Sequence, residues 1–289
     1  MPYLYLSLTV LTCASASIFG KMFQSKSGTL RASDTFYNFF LLLAATVLWG
    51  VLYAIDFSFE AGVLAYSALF ALSFISYAVG LIGALRHGSA TLTTLLVSLS
   101  LLVTTVWGFF FWGAPFTPFV AVGLVFVVLA IVLCLYTKSE KGKGEISPKW
   151  LFFVSLAFFG NAGCAIVQRT QQMHYAGRYG NMLMFFALLF SSLAFLFVYL
   201  KSDRTDTKAM CKTSLWMPIG AGLCNVLQNL LVILLASSKL SPSLIYPTIG
   251  VGSLAVVTLF SLLVFKEKMR PWQWVGIGFG AAATILLSI

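Results

Sequence analysis

Long apolar runs, separated by short polar segments, constrain this sequence more than any other feature. Each run has about 20 residues, the length that crosses the hydrocarbon core of a bilayer as a helix. A helix satisfies its own backbone hydrogen bonds, which a lipid environment requires. The sequence therefore predicts an all-α integral membrane protein with ten transmembrane helices, at residues 3–20, 34–54, 62–85, 89–112, 117–136, 149–168, 180–200, 215–237, 242–265 and 271–289.

Composition favours the same class. Of the 289 residues, 60% are hydrophobic and 9% are charged, whereas soluble domains are about 25% charged. The net charge is +10, but the basic residues lie between the apolar runs, so we interpret them as a topology signal. We expect a multi-pass protein of the cell inner or plasma membrane, a monomer or homodimer, with membrane lipid and a small-molecule substrate as partners and no nucleic acid.

The sequence shows no cluster of the kind that catalysis or metal binding requires. Its five cysteines form no CxxC pair, and His87 and His174 belong to no metal-binding motif. No Asp or Glu lies deep in a predicted span, so a membrane-embedded proton carrier is not visible. We predict that the protein is not an enzyme, holds no metal and no cofactor, and does not depend on a proton gradient.

The two halves of the chain match weakly when one is shifted along the other. Pairs that align at a shift of 153 residues include Ser100 with Ser253, Thr105 with Thr258, Pro118 with Pro271, and Arg86 with Lys239. A shift of 148 residues aligns Lys21 with Arg169. Five spans in each half make the second half enter from the opposite side, which is an inverted repeat typical of secondary transporters. The predicted repeats are residues 1–137 and 149–289, joined by a loop at 138–148.

Basic residues are distributed unevenly between the two sides of the predicted bundle. The odd-numbered loops hold fifteen Lys and Arg residues, and the even-numbered side holds three, Arg169, Arg178 and Lys239. The positive-inside rule places the odd loops in the cytoplasm. Both termini are then predicted to face outward.

Two polar triplets are the strongest candidates for a binding site. Asn225, Gln228 and Asn229 lie at i, i+3 and i+4 in an apolar run, which puts them on one face of a helix. A shift of 152 residues places them on Ser73, Ser76 and Tyr77, which have the same spacing. We predict that the two triplets face each other across a central cavity near the midplane. The alternative is that they form hydrogen bonds that only hold helices together.

Other polar residues in the spans are weaker candidates. Tyr246 precedes Pro247, whose ring kinks a helix and frees a carbonyl; the alternative is a kink needed only for packing. Further candidates for the cavity are Asn161, Thr94 and Ser98, although helical hydroxyls often bond their own backbone. Gln168, near the end of its span, is explained equally well by contact with lipid headgroups.

Four basic residues are candidate contacts for an anionic solute. They are Lys21, Arg169, Arg86 and Lys239. For Lys21 and Arg169, which end the first and sixth spans, the alternative is a long side chain that reaches to the membrane surface.

The segment at residues 241–289, SPSLIYPTIGVGSLAVVTLFSLLVFKEKMRPWQWVGIGFGAAATILLSI, resembles the end of drug/metabolite transporter superfamily proteins of the EamA type. The shared features are a proline in the ninth helix, a short loop around Glu267 and a glycine-containing last helix. The resemblance also covers the ten spans and the five-plus-five repeat. The segment FFFWGAPFTPF in the first half lacks a counterpart of Glu267, and the first span lacks the glutamate that carries the proton in small multidrug-resistance relatives.

The resemblance implies alternating access through a cavity between the halves, for metabolites, amino acids, drugs or nucleotide sugars. It also implies cytoplasmic termini, opposite to the charge count. We expect a secondary transporter or facilitator of a small polar organic solute. The alternatives are an exchanger of an anionic or phosphate-bearing solute such as a nucleotide sugar, and a structural or receptor-like membrane protein.

Overall fold

Helices make up nearly all of the chain. The structure, a computed structural model, describes residues 2–87, 90–114, 116–135, 148–236, 238–264 and 271–288. Within these ranges the chain forms eleven helices and no strand. They are α1 (Pro2–Ser27), α2 (Ser33–Ile55), α3 (Ala61–His87), α4 (Ala90–Phe111), α5 (Pro118–Leu135), α6 (Pro148–His174), α7 (Gly180–Lys201), α8 (Thr207–Thr213), α9 (Trp216–Ala236), α10 (Pro242–Val264) and α11 (Pro271–Ser288).

Among the described residues, six helices are long and apolar enough to cross a membrane, namely α1, α2, α3, α6, α7 and α9. The prediction of an all-α chain is confirmed for these residues, and the six long apolar helices support a multi-pass membrane protein. Helices α4, α5, α10 and α11 coincide with the other four predicted spans. Several helices begin at a proline, a residue that suits the first helical position because its missing N–H would have no partner there; they are α1, α5, α6, α10 and α11.

Two predicted helix ends and one predicted loop are wrong. Helix α1 continues to Ser27 rather than ending at residue 20, and α6 continues to His174 rather than ending at 168. The first left-handed glycine after α6 is Gly177, with φ of 80°, and its N–H bonds the Gln172 carbonyl at 2.7 Å, a helix-ending arrangement. The segment 201–214, predicted as a loop, contains the short helix α8.

The helices pack in a defined set of pairs. Helix α3 lies along α6, α1 lies along α9, and α5 lies along α11. Helix α2 contacts α7 and α9, and α7 contacts α3. Helix α4 contacts α6, and α1 contacts α10, while α4 and α10 contact each other. Because α9 also contacts α6, the five helices α1, α9, α6, α4 and α10 form a closed ring of contacts, and the centre of this ring is the interior of the bundle.

The loops gather at two ends of the bundle. At one end, which we call the basic end, the α1–α2 loop meets the α7–α9 segment through Arg31, whose Nη1 lies 2.5 Å from Asp203 Oδ2. Lys26 Nζ also donates to the Thr213 carbonyl there, at 3.1 Å. At the opposite end, the α2–α3 loop meets the start of α7, where Asn181 Nδ2 donates to Asp56 Oδ2 at 3.4 Å. The odd-numbered loops 28–32 and 202–215 thus share one end.

Candidate functional site

The amide triplet of α9 points into the bundle. Asn225, Gln228 and Asn229 are half-buried and lie on the side of the helix opposite to its exposed apolar residues, which include Leu223, Leu227 and Leu234. A helix turns by about 100° per residue, so these two sets face opposite directions. The predicted common face of the triplet is therefore the inward face of α9.

Asn229 links α9 to α6. Its Nδ2 donates to the Asn225 carbonyl at 2.9 Å and to Asn225 Oδ1 at 3.1 Å. Gln168 Nε2 of α6 donates to Asn229 Oδ1 at 3.4 Å. Gln168 is only 3% exposed, so its interpretation as a headgroup contact is wrong. Asn229 and Gln168 hold two helices together inside the bundle, as polar residues between membrane helices commonly do.

Gln228 differs from Asn229 because its side chain makes no hydrogen bond with any residue that the structure describes. The Asn225 amide nitrogen likewise donates to none of them. Both side chains face inward yet keep accessible surface. These two side chains therefore keep donors and acceptors that no described residue uses.

The α3 triplet contacts α6 at a close helix crossing. A Cβ built on Gly163 would lie 2.7 Å from Ser73 Oγ, and this hydroxyl already donates to the Leu69 carbonyl at 2.9 Å. The backbone of Tyr77 approaches Gly160 equally closely. Ser76 is half-buried. Both predicted triplets thus contact α6.

The Tyr77 side chain reaches toward the bundle interior. It lies within electrostatic range of Cys13 of α1 and Cys164 of α6. Tyr37 of α2 lies within the same range of Tyr77 and of Cys224 of α9. Neither tyrosine hydroxyl is hydrogen-bonded to a described residue. Sequence reasoning missed Tyr37, although a tyrosine within an apolar span is a recognisable signal.

Arg169 is buried against the end of α9. It is 9% exposed, and its Nη1 donates to the carbonyls of Ala236 and, at 3.5 Å, Leu235. These are the last carbonyls of α9, where the helix dipole carries partial negative charge. The interpretation of Arg169 as a side chain that reaches to the membrane surface is therefore wrong. Tyr246 of α10, 4% exposed, interacts electrostatically with Arg169.

The other predicted candidates are dispersed. Asn161 Nδ2 of α6 donates to Ser100 Oγ of α4 at 2.7 Å, so it joins two helices. Lys21 is half-buried within α1 near the basic end, and Lys239 is exposed between α9 and α10. The side chains of Arg86, Thr94 and Ser98 lie outside the described residues. The structure does not bring Lys21 and Arg169 together, because α1 and α6 carry them toward opposite ends of the bundle.

A buried polar cluster extends beyond Arg169 along α6. Gln171 and Gln172 are 0% and 2% exposed. Gln172 Nε2 donates to Gln171 Oε1, and Gln171 Nε2 donates to the Arg178 carbonyl at 2.9 Å. The sequence analysis missed both glutamines because it ended the span at residue 168. Residues 169–176 contain no glycine or proline, which indicated that the helix continues beyond residue 168. Among the described residues, no group of three or more His, Cys, Asp or Glu could hold a metal ion.

Comparisons with known proteins place the fold but not the function. No protein-family model matches the chain. An uncharacterized protein of Haemophilus influenzae (strain ATCC 51907 / DSM 11121 / KW20 / Rd) is 25% identical over 189 residues, which are 60% of this chain and 62% of that protein. The chain thus spans less than two thirds of that relative's length. A solved crystal structure matches 99% of this chain and 95% of its own chain with a TM-score of 0.73 at 12% identity, which shows a shared fold.

Proposed function

We propose that this protein is a secondary transporter or facilitator of a small polar organic solute, working by alternating access through a cavity between two five-helix repeats. The observation that carries the proposal is the inward face of α9, where Gln228 and Asn225 keep accessible surface and hydrogen-bonding groups that no described residue uses. Unsatisfied polar groups in a membrane interior are costly. A water-filled cavity that admits a polar solute accounts for them without that cost.

Two features support ten spans arranged as an inverted repeat. In the proposed repeat, helices α1, α2, α3, α4 and α5 correspond to α6, α7, α9, α10 and α11. Under this correspondence the contact of α3 with α6 is equivalent to the contact of α9 with α1, and both are observed. In the same way α2 with α9 becomes α7 with α3, and α4 with α6 becomes α10 with α1. Residues in the left-handed conformation also precede the second helix of each half, Ala32 with φ of 56° and Tyr179 with φ of 61°. Such conformations are uncommon outside glycine.

The proposed repeat and the sequence around Glu267, which lies outside the described residues, support membership of the drug/metabolite transporter superfamily, of the EamA type, as part of the same proposal. For orientation we retain the charge count, with the basic end in the cytoplasm of a cell inner or plasma membrane. The gathering of loops 28–32 and 202–215 at one end is consistent with that count.

A second candidate function is exchange of an anionic solute. The observation that favours it is Arg169, a buried cation that contacts no carboxylate within 4 Å among the described residues. Lys21, its counterpart in the other repeat, would serve the opposite end. Trans-stimulation of uptake by anionic solutes, and its dependence on salt, distinguish this function from transport of neutral solutes.

The test is uptake of a panel of polar metabolites by purified protein in proteoliposomes. We expect Asn225→Leu and Gln228→Leu to abolish uptake while the protein still purifies as a folded species. Leu227→Ala, on the outer face of the same helix, is the matched control and retains uptake. Asn229→Leu is expected to lower stability by about 1 kcal/mol, because Gln168 Nε2 loses the Asn229 Oδ1 acceptor and keeps only the longer contacts to the Asn229 carbonyl and Met184 Sδ. Full uptake by both cavity variants would remove these amides from the site.

A further inference from the structure

Two buried polar atoms near the end of α6 lack hydrogen-bond partners. They are Nε of Arg169 and Oε1 of Gln172. One is a donor and the other an acceptor. The residues are three positions apart, so their side chains emerge on neighbouring parts of the helix surface, with Cβ atoms about 5–6 Å apart.

Among the described residues, the Arg169 guanidinium hydrogen-bonds only backbone carbonyls. These are the carbonyls of Leu235 and Ala236, and the helix end contributes about half an elementary charge. Among the residues that the structure describes, it takes part in no ion pair. A buried charge without a counter-charge is strongly disfavoured in a membrane interior. One bound anion with a single negative charge would neutralise it, whereas a doubly charged phosphate ester would leave an excess negative charge.

We propose that Arg169 and Gln172 bind a small monocarboxylate that carries a hydrogen-bond donor beside its carboxylate, such as a 2-hydroxy acid. The carboxylate accepts from the guanidinium, and the adjacent donor bonds Gln172 Oε1. Tyr246 of α10 interacts electrostatically with Arg169, and its hydroxyl bonds no described residue. The inference rests on the proposed transport function, because it names the class of solute that the carrier moves.

The ligand test compares three matched probes on the purified protein in uncharged detergent. They are lactate, propionate, which lacks the hydroxyl, and lactamide, which lacks the charge, all at the same ionic strength. We expect lactate to raise the melting temperature most. Propionate should bind about fivefold more weakly, because one neutral hydrogen bond is lost at about 1 kcal/mol. Lactamide and inorganic phosphate should give no shift.

Substitutions at Arg169 and Gln172 test the contribution of each side chain to lactate binding. Arg169→Gln should weaken lactate binding about 10- to 100-fold, as expected for loss of a hydrogen bond to a charged group. Arg169→Lys keeps a donor for the α9 carbonyls and serves if the Gln variant does not fold; it should also weaken lactate binding. Gln172→Met should make lactate and propionate equal. Arg178→Gln removes the same charge from an exposed position at the same end and should change nothing.

The outcomes separate this inference from the transport function. Lactate binding that persists equally in Arg169→Gln and Arg169→Lys overturns the inference. So does the absence of a shift with any probe, which would indicate that bridging water alone satisfies the two atoms. A shift produced only by added phosphatidylglycerol would assign the site to a lipid headgroup and also overturn it. Uptake of neutral solutes without any response to lactate would overturn the lactate site and leave the transport proposal intact. Lactate binding without uptake of any solute would overturn the transport proposal and leave the binding site intact.

Discussion

The crossing of α3 and α6 should be intolerant of a single added methyl group. A Cβ built on Gly80 of α3 would lie 2.4 Å from the Ala157 nitrogen and 2.7 Å from the Phe153 carbonyl oxygen of α6. A Cβ on Gly160 of α6 would lie 2.5 Å from the Tyr77 nitrogen of α3. Carbon contacts are normally about 3.5–4.0 Å. Because the obstacles are backbone atoms, the helices would have to separate by about 1 Å to admit either methyl group.

The expected magnitude follows from two opposing effects. Overpacking a close contact costs about 1–3 kcal/mol, while replacing a helical glycine by alanine gains about 0.8–1 kcal/mol. The net loss for Gly80→Ala or Gly160→Ala is then about 0–2 kcal/mol relative to wild type, and about 1–3 kcal/mol relative to an unobstructed helical Gly→Ala change, which keeps the gain without the cost. At about 2–4 °C per kcal/mol for a chain of this size, the melting temperature should lie about 2–12 °C below that of such an unobstructed variant.

The assay is thermal melting of each purified variant in detergent, arranged as a double-mutant cycle. Once one methyl group has separated the helices, the second methyl group meets less steric resistance. The melting temperature of the double variant should therefore fall by less than the sum of the falls in the two single variants. Gly278→Ala in α11 is the matched control, because a Cβ there meets nothing within 4 Å; it should melt at or above the wild-type temperature. If Gly80→Ala and Gly160→Ala melt like Gly278→Ala, the close crossing does not hold the helices together.

Three further predictions concern topology, coupling and pH. A cysteine added after residue 289 should react with an impermeant maleimide on intact cells once Cys211 is removed; reaction only after lysis would reverse the orientation. Solute uptake in proteoliposomes should not follow an imposed pH gradient at zero membrane potential, and uptake that collapses with a protonophore would refute this. The Asp203 carboxyl has its pKa lowered to about 2, first by its Thr205 hydroxyl hydrogen bond and then by Arg31. Its stabilising effect is present above the unfolded pKa of about 3.9 and is lost as pH falls toward 2. The wild-type melting temperature should therefore fall more than that of Asp203→Asn between pH 5 and pH 2, and parallel pH profiles would contradict it.

The sequence by itself determined the helices and the direction of the α9 amides. An apolar run of bilayer length must satisfy its own backbone hydrogen bonds, so the helical class follows from hydropathy alone. The spacing of Asn225, Gln228 and Asn229 fixes a common face because helical geometry is local. The position of the three amides opposite the exposed leucines of α9 confirms that common face. The direction of this face does not depend on which helix packs against it.

Only the tertiary structure decided which partner each polar group has. Asn229 bonds Gln168, Asn161 bonds Ser100 and Arg169 bonds the end of α9, and each pair joins residues far apart in the sequence. The α3 triplet, identical in spacing to that of α9, meets α6 through Gly160 and Gly163. Periodicity specifies a face and leaves its neighbour open, because that neighbour is set by the summed packing of whole helices. For this reason the same pattern gives unused amides on α9 and a close helix crossing on α3.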